Sequence, residues 1–378
     1  MLLYIHVPFC AQKCAYCAFY SEAGERAAPA ARREYLAALA LDFERAVSGE
    51  TFDTLYLGGG TPTALSPAEL AELTDITRRA VFAPGAEKTA EANPGSLTEE
   101  KLAVLRAGGF NRLSLGVQSL SDTLLARIGR RHRADDVWRA LRLARCAGFS
   151  NIGADLLFGL PGQTDADWQT AVRALTDAGL SHLSLYALTP EEGTPLAADL
   201  AAGRTRLPDD DAQADMYAWA REYLAGAGYR QDEISNFSLP GRACRHNAGY
   251  WRGEEYLGLG AGAVSCLTER SQPVRTRRAT LKEYAALLRA GLPPLAAEGA
   301  EPLDRETRIK EYVMLRLRTR EGLDRREFSR RFGASLADVF GETPAELIRA
   351  RLLLSEGDVL RLDPDRYFVA NSILVKFM

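Results

Sequence analysis

Between Leu3 and Ala227 the sequence alternates six times between a short strand-forming run and a longer stretch with apolar residues at three- and four-residue spacing. Few architectures accept that rhythm. Successive strand–helix units imply a parallel sheet with right-handed crossovers, and about 30 residues per unit suits a (β/α) barrel. The strand candidates are Leu3–Val7, Thr54–Leu57, Lys88–Ala90, Arg112–Gly116, Ile152–Leu157 and His182–Ala187. The helix candidates are Arg33–Val47, Pro67–Ala80, Thr98–Ala107, Asp135–Ala147, Asp165–Ala178 and Asp211–Ala227. Ser66 before Pro67, and Thr98 before two glutamates, place oxygen acceptors where first turns need them. The expected fold class is therefore α/β: a partial, TIM-like (β/α) barrel over residues 1–235.

From Pro293 the rhythm breaks. Helix candidates Asp304–Leu317, Arg325–Phe332, Ala337–Phe340 and Pro344–Ser355 follow. A hairpin is expected next, from Asp358–Leu362 and Tyr367–Ala370 around the turn Asp363-Pro364-Asp365. Residues 293–378 thus read as a smaller, helical, winged-helix-like domain, with 236–292 as its connection to the barrel. Winged helices often bind DNA, but residues 302–378 hold 15 Lys and Arg against 13 Asp and Glu, without the basic footprint of a DNA reader.

The whole chain carries a net charge of −3, which disfavours a polyanion-binding surface. No run of 18 apolar residues exists, and the apolar stretch Tyr256 to Leu267 has only 12, too few to span a bilayer. Met1-Leu2-Leu3-Tyr4-Ile5-His6-Val7 reads as a strand rather than a signal or transit peptide, so the expected location is the cytoplasm.

Of six cysteines, Cys10, Cys14 and Cys17 share one loop directly after the first strand, spaced C-x₃-C-x₂-C. Three thiolates on a tight loop can hold three corners of a cubane iron–sulfur cluster and leave the fourth iron open to a small molecule. A structural zinc site would need four ligands, and no second Cys or His pair follows at such spacing. In a βα barrel, functional side chains gather at the carboxyl ends of the strands. Those ends carry the three cysteines, then Gly60-Thr61, Glu91, Gln118 and Asp155.

At these residues the chain resembles the radical S-adenosylmethionine (SAM) superfamily. The resemblance extends to Gly58-Gly59-Gly60-Thr61-Pro62-Thr63, to Gly116-Val117-Gln118-Ser119 and to Asp155-Leu156-Leu157-Phe158-Gly159-Leu160-Pro161-Gly162. With Tyr4-Ile5-His6-Val7-Pro8-Phe9-Cys10 and His246-Asn247-Ala248-Gly249-Tyr250-Trp251, it is closest to the oxygen-independent coproporphyrinogen III oxidase group, in its heme-chaperone branch. That likeness implies a [4Fe–4S] cluster on Cys10, Cys14 and Cys17. It implies SAM contacts at Tyr4, Tyr16, Gly60, Thr61, Glu91, Gln118, Arg130 and Asp155.

Two departures from the true oxidases favour the chaperone branch. Phe19 stands where those enzymes carry a further cysteine, and only three residues precede Tyr4, where they have an extension. In that branch His246 would be an axial heme ligand, with Asn247, Tyr250 and Trp251 beside the macrocycle. A plainer reading of the same residues has His246 and Asn247 tie down a loop while Tyr250 and Trp251 fill core. Cys244 and Cys266 suit buried thiols, and His132 sits among arginines that could meet propionates. The implied partners are heme, an acceptor hemoprotein and, where SAM is cleaved, an electron donor, with room for a homodimer and a peripheral membrane contact. The alternative function is coproporphyrinogen oxidation through a SAM-derived radical.

Overall fold

The computed structural model describes residues 1–47 and 49–378. The six leading strands are β1 Leu2–Val7, β2 Thr51–Gly59, β3 Val81–Ala92, β4 Arg112–Gln118, β5 Asn151–Phe158 and β6 His182–Ala187. They pair in parallel in chain order, with Leu3 beside Leu55, Ala90 beside Leu113 and Asp155 beside Ser184. Helices Pro29–Ala46, Pro67–Thr77, Glu99–Ala107, Ala134–Cys146 and Asp165–Asp177 make the crossovers, and Asp210–Gly226 follows β6. The expected caps form. The Ser66 hydroxyl accepts from the Glu69 amide at 3.3 Å while the Glu69 carboxylate accepts from the Ser66 amide at 2.7 Å.

The sheet stays open. Beyond β6 it continues antiparallel through β8 Asn236–Ser238 to β7 Arg230–Gln231. At the opposite edge β9 Tyr256–Leu259 runs parallel to β1. Strands β10 Val264–Glu269, β11 Gln272–Arg278 and β12 Leu295–Pro302 then complete twelve. Residues 236–292, expected as a connection, therefore supply strands to both edges of the barrel sheet. A buried ion pair from Arg278 Nε to Asp42 at 3.0 Å, joined by the Tyr284 hydroxyl at 2.8 Å, ties the added edge to the first crossover helix. Such a pair is costly to break singly, by about 3–5 kcal/mol.

Alternate side chains of β2–β6 separate by chemistry. Leu55, Leu57, Leu113, Leu115, Ala154 and Leu185 are buried with Leu70, Leu102, Leu141 and Trp168 of the helices. Each large apolar side chain buried this way contributes about 1.5–3 kcal/mol. The other set includes Tyr56, Glu91, Ser114, Asp155 and Tyr186, and by the two-residue period of a strand it shares the opposite, inner face.

The C-terminal unit has helices Arg305–Leu317, Arg325–Phe332, Leu336–Phe340 and Thr343–Arg349 and a small antiparallel sheet. That sheet orders β13 Leu323–Asp324, β15 Val359–Leu362 and β14 Leu353–Glu356. Two expectations are corrected here. The helix foreseen over Pro344–Ser355 stops at Arg349, and its tail becomes β14 after Arg351 takes a positive φ of 55°. The hairpin joins β14 to β15, not Asp358–Leu362 to Tyr367–Ala370; Pro364–Val369 is instead a 3₁₀ turn leading into the helix Ala370–Leu374. Proline at the first helical position favours that outcome. Among the described residues no helix is long and apolar enough to cross a membrane.

Candidate functional site

At the carboxyl ends of β1–β6 lies a cavity of about 890 Å³. Cys10, Cys14, Cys17, Tyr16, Gly60, Thr61, Glu91, Gln118, Arg130 and Asp155 all line it. The cysteine loop is anchored from both sides. The Cys10 amide donates to the Glu22 carbonyl at 2.9 Å, and the Ala15 amide to the Ile128 carbonyl at 3.1 Å. Cys10 Sγ lies 3.7 Å from the Thr61 hydroxyl, and Arg130 Nη1 donates to Cys14 Sγ at 3.4 Å. Arg130 Nη2 also donates to the Gly116 carbonyl at 2.6 Å, which fixes its guanidinium against the end of β4.

Close approach explains two glycines. A Cβ on Gly60 would lie 2.7 Å from the Phe9 carbonyl oxygen, and one on Gly59, at φ 107°, would strike the His6 ring at 2.6 Å. Gln118 takes φ 66°, a conformation rarely adopted by a side-chain-bearing residue, where β4 meets the cavity.

The electrostatics are those of a cation-seeking cleft. Burial, then the neighbouring Asp155 charge, pushes the Glu91 carboxyl up to about 7, although Tyr56 donates to Glu91 Oε1 at 2.9 Å. Burial also raises the Asp155 carboxyl, against hydrogen bonds from Ser184 and Ser114, the latter at 3.4 Å. Two acids in one recess favour a ligand that brings positive charge. Burial raises the Cys10 and Cys17 thiols too, so a bound cation must drive their deprotonation.

The donor set suits a cluster better than a single ion. Among the described residues no three His, Cys, Asp or Glu side chains converge closely enough to grip one ion. The three cysteines nonetheless share one cavity wall, as ligands to separate irons of a cubane would.

One expected contact is displaced. Tyr4 does not line the cavity. Its hydroxyl lies 3.0 Å from His6 Nδ1 and its ring stacks on Tyr56 at 6.3 Å, beneath the site. Residues that also line the cavity include Asn93, Ser114, Tyr186 and Thr189. The polar alternation within β4 and the carboxyl end of the sixth strand were the signals for Ser114, Tyr186 and Thr189.

The His246–Trp251 segment is part of the helix Arg245–Arg252, at the other end of the barrel. Glu87 of β3 caps it, its Oε1 accepting from the Arg245 amide at 2.9 Å. Asn247 and Trp251 line a second cavity of about 400 Å³ with His182, Cys244 and Arg316. His246 and Tyr250 do not. His246 is 1% exposed, with Nδ1 2.7 Å from the Thr54 hydroxyl and Nε2 3.1 Å from the Tyr250 hydroxyl. Both ring nitrogens are thus engaged, and an axial bond to iron requires His246 to leave these partners. His132 is also enclosed, with Nε2 3.1 Å from the Val117 carbonyl oxygen and the imidazole pushed down to about 4 by burial and then by Arg130.

Residues 4–175 match the profile of the radical SAM superfamily, and residues 303–365 that of the HemN C-terminal domain. The heme chaperone HemW of Lactococcus lactis is 35% identical, covering 99% of this chain and 96% of its own. The HemW of Mycobacterium tuberculosis is 38% identical over 85% of this chain and 82% of its own. A mouse protein, mitochondrial radical S-adenosyl methionine domain-containing protein 1, is 34% identical over 100% of this chain and 87% of its own. Among solved structures, coproporphyrinogen III oxidase (HemN) of Escherichia coli superposes with a TM-score of 0.84 at 23% identity. That match covers 100% of this chain and 89% of the oxidase, and it speaks for the fold.

Proposed function

Because the chain belongs to the HemW family of heme chaperones within the radical SAM superfamily, we propose that it binds heme and passes it to an acceptor hemoprotein in the cytoplasm. The scaffold for this work carries a [4Fe–4S] cluster and SAM. The observation that carries the cofactor assignment is the gathering of all three loop cysteines with Tyr16, Gly60, Thr61, Glu91, Gln118, Arg130 and Asp155 around one cavity.

Cys10, Cys14 and Cys17 would hold the cluster. Gly60 lets its strand end pack against the Phe9 backbone beneath the cysteine loop, Glu91 and Asp155 would meet positive charge and ribose hydroxyls, and Arg130 would meet a carboxylate. When bound and reduced, the cluster and SAM together supply radical chemistry. The chain's own residues orient the ligand and keep Arg130 beside Cys14.

Heme sits on the second cavity in this reading, against Trp251 and Asn247. His246, on the opposite face of the same helix, would ligate iron there only after turning out of the barrel and giving up Thr54 and Tyr250, two hydrogen bonds worth about 0.5–1.5 kcal/mol each. In its buried position the imidazole is pushed down to about 3 by burial and then by Arg112, so it rests neutral before any ligand arrives.

Anaerobic reconstitution followed by parallel heme titration and a coproporphyrinogen consumption assay tests this function. Stoichiometric heme with a sharp Soret shift, and no porphyrinogen consumed, is the expected result. Porphyrinogen turnover without heme binding would reverse the assignment, and stoichiometric zinc in place of iron and sulfide would remove the cluster.

A further inference from the structure

The helix Arg245–Arg252 shows two chemically different faces at four-residue spacing. Asn247 and Trp251 line the second cavity, whereas His246 and Tyr250 pack together inside the barrel, their rings edge to face at 4.8 Å. The His246 ring stacks on Tyr56 of β2, with centroids 5.0 Å apart and planes 27° from parallel. The Tyr56 hydroxyl then donates to Glu91 at 2.9 Å, and Glu91 lines the first cavity. One stacked ring pair and one hydrogen bond therefore span the interior from the helix to the cofactor site.

We propose that Tyr56 is a positioning residue for Glu91 and that His246 sets Tyr56, so that the helix bearing Asn247 and Trp251 governs how tightly the first cavity holds SAM. This inference rests on the reading of that cavity as the SAM site. Its physical basis is the crowding of acids. Glu91 is faced by Asp155 from β5, Tyr186 from β6, Arg112 from β4, Tyr4 from β1, and Tyr56 together with the Gly59 amide from β2. A carboxylate so close to a second carboxylate keeps its charge and its direction through hydrogen-bond donors, and Tyr56 is the side chain that donates to it. A Tyr56 ring free to tilt would carry its hydroxyl away, and the stack with His246 restrains that tilt.

Calorimetric titration of SAM into the reconstituted, heme-free protein across neutral pH tests the inference. Tyr56→Phe should weaken SAM roughly tenfold. It should also move upward the pH below which SAM binding is lost, since Glu91 without its donor takes up a proton sooner. His246→Ala should shift both quantities in the same direction by less, and His246→Phe, which keeps the stacked ring, should return them toward the original values. Unchanged affinity and pH profile in Tyr56→Phe would overturn the proposal, as would His246→Ala and His246→Phe behaving alike. If the unsubstituted protein fails to bind SAM, or Asp155→Ala binds it equally well, the reading of the cavity itself falls and takes the inference with it.

Discussion

Single residues set the terms of both cavities. At Gly60 a methyl group would sit 2.7 Å from the Phe9 carbonyl. Gly60→Ala should therefore push the cysteine loop from the strand end and cost about 1–3 kcal/mol of stability, together with most SAM affinity; chemical denaturation beside calorimetry would record both. Glu91 makes a prediction of opposite sign. Its carboxyl is raised from 4.5 to about 7 by burial and then by Asp155. A group so raised supports folding fully below its unfolded value and loses that support as pH climbs through its folded value. Without SAM, Glu91→Gln should thus melt roughly 2 °C above the unsubstituted protein at pH 8, with the gap closing toward pH 5. A constant gap would mean that charge is not the cause. The glycines and the acids were legible in the sequence because barrel logic names strand ends. The Glu87 cap was not, since it reaches across the fold to Arg245 and His246, more than 150 residues away.

Among the elements, β1–β6 and their helices were readable because strand cores and helix caps are local signals. β9 was missed because Tyr256–Leu259 is four residues long and interrupted by Gly258, whose Cβ would lie 2.0 Å from the Val264 carbonyl oxygen. The hairpin was misplaced because β14 looks like the tail of a helix until Arg351 reverses the chain. The helix Arg245–Arg252 was recognised as a motif, but its division into two faces depends on the cap and stack that hold its rotation. That division is testable. Trp251→Ala should weaken heme binding roughly tenfold while leaving the melting temperature nearly unchanged. Tyr250→Ala, which empties interior space beside His246 and Tyr256, should destabilise the fold by about 2–4 kcal/mol. Equal heme affinity in both variants would deny the helix its two faces.

For the whole molecule, the two cavities share one set of strands, one at each end. If iron draws His246 from its stack with Tyr56, heme and SAM oppose each other, and linkage makes the opposition mutual. Saturating heme should raise the SAM dissociation constant by the same factor, less than tenfold, by which SAM raises that of heme; titrations in both orders check it, and independence would separate the two functions. The edge of the sheet has a consequence for biosynthesis. β1 leaves the ribosome well before β9, pairs with β2 on one side, and finds its other neighbour in Tyr256–Leu259. At about 5–20 residues per second, that edge waits on the order of 10–50 s for its mate. Through that interval the nascent chain exposes an unpaired strand beside a cysteine-rich loop, so the youngest polypeptide is the one most in need of a holdase and of a reducing environment.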